Sequence, residues 1–287
     1  MPDTWLLWCE PTVKAVAYAS LLGVLGVPGA RAVVVRAWPR HQAIDDVHER
    51  LDWIARVCAA TLVVALLMRA WAHTATAFGA SESLAWSNLR VVAFDSRWGG
   101  AWRAQMTAAL AVLACAVGAD LWHRRVWRWL TALAAFAAAL ALTGSGHAAS
   151  HIWLRALHAS HLVAAGAWAG VLAALTVSTR RRPTDERLRA FRSVAPLATV
   201  AVATALTTGI VMAARYLGSL DALTSAYAAW LATKTMLVLA MAALGGFNWT
   251  RLRRRAGAAW LRTIDVEVAV ALVVVLVTAV LTETAHP

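Results

Sequence analysis

The chain alternates between long apolar runs and short polar stretches that are rich in arginine. Eight of the apolar runs are long enough to cross, or nearly cross, a hydrocarbon core of about 30 Å at a helical rise of about 1.5 Å per residue. These runs are residues 12–35, 54–78, 104–122, 127–143, 154–178, 194–215, 226–247 and 263–283. The pattern predicts an all-α, polytopic membrane bundle with about eight transmembrane helices that face a lipid bilayer.

Composition agrees with this interpretation. Hydrophobic residues make up 61% of the 287 residues and the mean hydropathy is +0.61, whereas soluble domains contain roughly 45–50% apolar residues. We expect one integral bundle made of two four-helix halves, residues 1–143 and 144–287. The longest connection, 79–103, could be a lid, a docking surface or a plain connector. Gly23, Gly26, Pro28 and Gly29 in the first span predict a kink or a close helix contact.

The formal net charge of +12 is best explained as a topology signal. Arginines are concentrated in alternate connections, whereas the intervening connections carry far fewer. The arginines of these arginine-rich connections are Arg31, Arg36, Arg40, Arg50, Arg124, Arg125, Arg128, Arg180, Arg181, Arg182, Arg187, Arg189, Arg192, Arg251, Arg253, Arg254, Arg255 and Arg262. Positively charged loops stay in the cytoplasm, so both termini are expected on the outer, periplasmic side. We therefore expect no binding of nucleic acid.

Four histidines, His147, His151, His158 and His161, lie within fifteen residues. On a helix they would sit at about 0°, 40°, 20° and −40° around the axis, on one face. Gly144 favours a position on a loop or at the first turn for His147 and His151. His158 and His161 lie inside the fifth span, and their spacing would allow two imidazoles to share an ion. The alternative is that these are interfacial histidines at the headgroup level.

Further candidate ligands fall on the same predicted side of the membrane. His73 lies at the outer end of the second span, His286 near the C-terminus, and Met212 in the outer half of the sixth span. Nitrogen ligands without nearby thiolates suit copper, zinc, nickel or haem iron, and a thioether favours Cu(I). Composition and spacing leave the choice between a bare metal ion and haem open.

Arg69, Lys234 and Glu267 are charged residues that lie a turn or more inside predicted spans. A charge near the bilayer centre costs roughly 2.5–3.5 kcal/mol on insertion scales. These side chains are therefore expected to face the bundle interior or water and to shape a pathway. For Arg69 and Glu267, snorkelling towards the interface is an equal alternative.

Residues 144–287 resemble the CopD family of bacterial copper-resistance and copper-uptake membrane proteins. The matching residues are Gly146-His147-Ala148, His158-x-x-His161-Leu162, Ala167-Trp168-x-Gly170, Phe191-x-Ser193-x-Ala195, Thr208-Gly209, Tyr227 with Leu231 and Lys234, Phe247-Asn248, Glu267, and Thr282-x-Thr284-x-x-Pro287. The first four spans match only in hydropathy and arginine placement. The family commonly has Tyr-Gly-Arg where this chain has Tyr227-Ala228-Ala229, and Phe-Asn-Arg where it has Phe247-Asn248-Trp249.

The resemblance implies a multi-pass protein of the bacterial inner membrane that handles periplasmic copper, often beside a small CopC-like copper-binding partner. We expect it to import copper ions, with no enzymatic activity. No GxxxxGK[ST] nucleotide-binding motif is present. Two alternatives stay open. One is a b-type haem redox protein that uses His73 and a span-five histidine as axial ligands. The other is an assembly factor that delivers copper without transporting it.

Overall fold

The computed structural model describes residues 6–38, 44–122, 124–144, 151–217, 224–253 and 260–284. The described residues form helices and connections, with no β-strand among them. The α-helices, numbered α1 to α10 in chain order, are Leu6–Ala37, Asp45–Phe78, Trp86–Arg90, Arg97–Leu121, Arg124–Leu142, Ile152–Ala165, Val171–Ser178, Thr184–Leu217, Ala226–Arg253 and Trp260–Glu283.

The predicted all-α membrane architecture is confirmed. Among the described residues, eight helical segments are long and apolar enough to cross a membrane, and each contains or nearly contains one of the eight apolar runs. Most helices extend beyond the apolar run into polar residues. The segments are Trp8–Ala37, Asp45–Phe78, Arg97–Leu121, Arg124–Leu142, Ile152–Ser178, Thr184–Leu217, Ala226–Arg251 and Arg262–Glu283.

The connection predicted over 79–103 is shorter and more ordered than the sequence pattern suggested. It contains a 3₁₀ turn at Ala80–Glu82, helix α3 and a π-helical turn at Val91–Asp95, and α4 already begins at Arg97. Ser96 caps α4 by accepting a hydrogen bond from the Gly99 amide at 2.9 Å. The apolar pattern starts late because the first turn of α4 contains arginine and glycine, which do not register as a membrane span.

The chain folds into two compact units. Unit 1 comprises Met1–Leu21 and Arg56–Ala159, and unit 2 comprises Leu22–Ala55 and Ser160–Pro287. Each unit therefore combines segments from separate parts of the sequence. The division into sequence halves 1–143 and 144–287 stays a prediction.

Within unit 2, glycines bring helix backbones into direct contact. A Cβ atom added to Gly170 would lie 2.1 Å from the carbonyl oxygen of Leu22, and one added to Gly26 would lie 2.1 Å from the carbonyl carbon of Gly170. Neither position has room for a side chain. The close helix contact predicted for the first span is thus present, and α1 remains helical through Pro28.

The arginine-rich helix ends of unit 2 are tied together by ion pairs. Arg31 of α1 donates to the buried carboxylate of Asp52 on α2. Arg182, just before α8, pairs with Asp46 on α2. These ion pairs place the ends of α1, α2 and α8 together, as the alternating arginine pattern requires. Which side of the membrane they face stays a prediction.

Candidate metal-handling site

The structure places some of the predicted ligands and leaves two without a description. His147 and His286 lie outside the described residues. His151 is exposed and immediately precedes α6, where its carbonyl oxygen accepts a hydrogen bond from the Arg155 amide at 3.1 Å. Met212 is half-buried on α8.

His158 and His161 lie on the same continuous helix, α6, and both side chains are half-buried. Three residues apart on an α-helix, they occupy neighbouring positions on one face. Within unit 2, the ring of His161 packs beside α8: its Nδ1 atom lies 3.0 Å from Oγ1 of Thr208. A Cβ added to Gly209 would come within 3.4 Å of the same ring.

The hydrogen bonds of the Thr208 hydroxyl favour a proton on Nδ1 of His161. This hydroxyl donates to the carbonyl oxygen of Thr204 at 2.6 Å, so towards His161 it acts as an acceptor. The His161 Nδ1–H therefore donates to Thr208, a tautomer assigned from the hydrogen-bond network. The lone pair is left on Nε2, the state in which a neutral imidazole binds a metal ion.

The predicted ligands are distributed over both units. His73, His151 and His158 belong to unit 1, and His161 and Met212 belong to unit 2. Across the described ranges, no three His, Cys, Asp or Glu side chains lie close enough together to hold a metal ion. The proposed four-histidine site includes His147, which lies beyond those ranges, so it stays a prediction.

In unit 1, His73 of α2 is held by two other helices. Its Nδ1 atom lies 3.2 Å from Oε1 of Glu10 on α1. Its ring stacks on the indole of Trp98 on α4, with centroids 4.2 Å apart and planes 9° from parallel. The imidazole is therefore fixed both by a carboxylate at its Nδ1 and by an aromatic ring against its face.

Arg69 lies one turn before His73 on α2 and is buried. Its Nη1 atom donates to Oε1 of Gln105 on α4 at 3.2 Å, and its guanidinium carbon lies 5.7 Å from the Trp98 ring centroid. Arg69 is thus an interior residue and does not snorkel. It supports the same Trp98 ring on which His73 stacks.

In unit 2, Glu267 forms the centre of a buried hydrogen-bond network. Its side chain is 3% exposed, and Oε2 accepts a hydrogen bond from Nδ2 of Asn248 at 2.9 Å. The indole of Trp168 also donates to the Glu267 carboxylate. Thr263 donates to Oδ1 of Asn248, which turns the amide nitrogen towards Glu267. Glu267 is thus an interior residue held by neutral donors.

Glycine and a π-helical turn make room for this network. A Cβ added to Gly245 would lie 3.2 Å from Oε1 of Glu267. Trp168 lies in the π-helical segment Gly166–Gly170 that follows α6. Such segments are frequent at functional sites because the extra residue re-aims a side chain.

Comparison with protein families identifies the family of the chain. The family model described as Copper resistance protein D-like, N-terminal domain, matches residues 1–152, and the model described as Copper resistance protein D matches residues 186–281. The chain belongs to the CopD family. No curated protein and no solved structure matches the chain.

Membership confirms the resemblance and widens it. The sequence motifs resemble those of CopD proteins in the second half, and the first four spans resemble them only in hydropathy and arginine placement. The match over 1–152 shows that the first half is also a CopD-family region. The chain is therefore a multi-pass membrane protein of a copper-resistance family, and copper is the metal against which its candidate ligands have to be judged.

Several partners of the candidate residues, in unit 1 and in unit 2, cannot be singled out from the sequence. They are Glu10, Trp98, Gln105 and Thr208, whose partners are brought to them by helix packing. Glu10 and His73 are 63 positions apart in sequence, so no local pattern connects them. The only available signal for Glu10 is its position at the edge of an apolar span, where a carboxylate is uncommon.

Lys234 lies inside a membrane-spanning helix, α9, as the sequence predicts. It lies eight residues after the first residue of α9 and its side chain is half-buried. At about 1.5 Å per residue, this is roughly 12 Å along the helix. Its part in a copper pathway stays a prediction.

Proposed function

We propose that this CopD protein imports copper ions from the periplasm to the cytoplasm through the inner membrane, as a transporter without enzymatic activity. The observation that carries the proposal is the pair of half-buried imidazoles, His158 and His161, on one helix of a copper-resistance family protein. Imidazole is the commonest metal ligand in proteins. An ionisable pair inside a membrane-spanning segment is costly and typically functional.

The acquisition site would consist of His147, His151, His158 and His161, with help from His73, Met212 and His286. His151 precedes α6, and His158 and His161 lie within it. Their order along the chain is that of an entrance followed by deeper ligands. The tautomer of His161, with its lone pair on Nε2, supports its use as a ligand.

The next step of the route would lie in unit 2. Trp168 follows His161 by seven residues along the same helical run, which is about two turns, roughly 10 Å, and nearly the same face. Because Trp168 donates to Glu267, a buried carboxylate lies about two turns beyond His161. An anionic group at that point would favour the onward movement of a copper cation. Lys234 and Arg69 would limit where the positive charge can rest.

The delivery of copper to the site would come from a small periplasmic copper-binding protein of the CopC type. The sequence has no nucleotide-binding motif of the GxxxxGK[ST] type. Movement would therefore depend on an ion gradient or on capture of copper in the cytoplasm.

The proposal is tested by copper flux into vesicles of known orientation. We expect the double variant His158→Ala/His161→Ala to lose uptake while it still inserts and folds. His48→Ala is the matched control, because His48 is a half-buried histidine at the arginine-rich end beside Arg31. Unchanged uptake in the folded double variant contradicts the proposal.

The same preparation separates the alternatives. A Soret band in the purified protein would indicate the haem redox protein. Copper binding without flux in either direction would indicate the assembly factor. Copper accumulation on the opposite side of the vesicle membrane would indicate export and would overturn the proposed direction.

A further inference from the structure

The pair formed by Glu10 and His73 in unit 1 has a geometry known from metal sites. Oε1 of Glu10 lies 3.2 Å from Nδ1 of His73. A carboxylate can only accept, so the proton between them is carried on Nδ1 of the imidazole. In the neutral ring the remaining nitrogen, Nε2, then carries the lone pair. The carboxylate thereby selects Nε2 as the nitrogen that can bind a metal ion.

Trp98 fixes the orientation of the His73 ring plane. The two rings are stacked at 4.2 Å with planes 9° apart. Trp98 is held in turn, because Trp102 stacks on it at a centroid distance of 6.4 Å and anchors its own indole nitrogen to the Leu66 carbonyl at 2.8 Å. The ring plane of His73 is therefore set by an aromatic stack that belongs to α4.

The exposure of the two side chains fits this arrangement. Glu10 is 15% exposed and largely enclosed, whereas His73 is 32% exposed. The carboxylate is thus shielded while part of the imidazole remains accessible. A purely structural ion pair would not require the histidine side chain to be more exposed than the carboxylate, whereas a metal ligand has to be accessible.

We propose that Glu10 is a positioning residue that orients His73, with Trp98, as a copper ligand through Nε2. This inference rests on the proposed copper function and adds a ligand-orienting pair within unit 1. Metal-bound histidines generally donate their second ring N–H to a carboxylate, carbonyl or water, and loss of that partner typically lowers metal affinity about 10- to 100-fold.

A double-mutant cycle on copper affinity tests the inference in the full-length purified protein. The variants are Glu10→Ala, His73→Ala and the pair together, with Glu82→Ala as the control because Glu82 is an exposed carboxylate in the same unit. Affinity is measured by competition with a colorimetric chelator, for Cu(I) as its bicinchoninate complex and for Cu(II) as its glycinate complex. Thermal stability is recorded for every variant.

We expect Glu10→Ala to lower copper affinity about 10- to 100-fold and to have no further effect once His73 is alanine. Glu10→Gln keeps a side-chain oxygen that can accept from Nδ1–H, so it should restore part of the affinity. Glu82→Ala should bind copper as the wild type does. X-ray absorption of the copper complex should show one imidazole fewer in His73→Ala and an unchanged number in Glu10→Ala.

The other outcomes overturn the inference in distinguishable ways. If His73→Ala binds copper with wild-type affinity, His73 is not a ligand, while the proposed function stands. If His73→Ala weakens binding and Glu10→Ala lowers only thermal stability, Glu10 is a structural partner and not a positioning residue. If the wild-type protein binds no copper, both the inference and the proposed function fail.

Discussion

Replacing Gly170 by alanine should destabilise the protein, by an amount that the helix contact in unit 2 allows us to estimate. The new Cβ would lie 2.1 Å from the Leu22 carbonyl oxygen, whereas ordinary van der Waals contact begins at 3.4 Å. The two backbones must therefore separate by about 1.3 Å, the difference between these distances. Overpacking of this kind costs about 1–3 kcal/mol. Because backbone atoms cannot rotate away, we take the upper end, about 3 kcal/mol.

Alanine also stabilises a helix relative to glycine by up to about 1 kcal/mol, so the net destabilisation should be about 2 kcal/mol. The assay is reversible unfolding by SDS in mixed micelles. Gly246→Ala is the matched control, because a Cβ there would meet nothing within 4 Å and only the helix propensity changes, by about 1 kcal/mol in the stabilising direction. If Gly170→Ala were as stable as Gly246→Ala, the close contact between α1 and the segment after α6 would be refuted.

Two further changes have signs fixed by contacts, and a third has its sign fixed by the cost of a charge within the membrane. Asn248→Leu removes the amide donor to Glu267 and should lower the free energy of unfolding by about 0.6–1.7 kcal/mol; an unchanged SDS transition would contradict this. Arg31→Gln leaves the Asp52 carboxylate buried without its guanidinium and should cost about 3–5 kcal/mol, most of it recovered by adding Asp52→Asn; a single variant as stable as the wild type would show that the pair is unimportant. Lys234→Met should make membrane insertion of α9 more favourable by about 2.5–3.5 kcal/mol, the cost of a lysine at the helix centre on insertion scales, yet lower copper uptake; equal uptake would remove Lys234 from the route.

Much of the fold could be predicted from the sequence because each span is a run of apolar residues with few charges, and recognising such a run needs no knowledge of its partners. The eight spans follow from it directly. The pattern failed between 79 and 103, where α4 begins at Arg97, ahead of the apolar run that starts at residue 104. There Ser96 caps the helix, and the arginine and glycine of the first turn do not register as part of an apolar run.

The candidate site could be predicted only in part, because ionisable residues are conspicuous within apolar spans but their partners are not. Arg69, His73 and Glu267 stand out by this contrast. The partner of Arg69 is Gln105, 36 positions away. His73 pairs with Glu10 over 63 positions, and Glu267 pairs with Asn248 over 19. Such pairings arise from helix packing and have no periodic signature. His147 and His286 remain sequence predictions.

The packing of α1 and the chemistry around Glu267 are linked through one short segment of unit 2. The π-helical turn Gly166–Gly170 carries Trp168, and its last hydrogen bond runs from the Val171 amide to the Gly166 carbonyl, five residues back. A Cβ on Gly166 would lie 2.5 Å from Cβ of Leu25, so both ends of this turn, Gly166 and Gly170, pack directly on α1. A shift of α1 would therefore move the Trp168 indole relative to the carboxylate that it holds. For this reason Gly170→Ala should reduce copper flux further than its loss of stability alone would require.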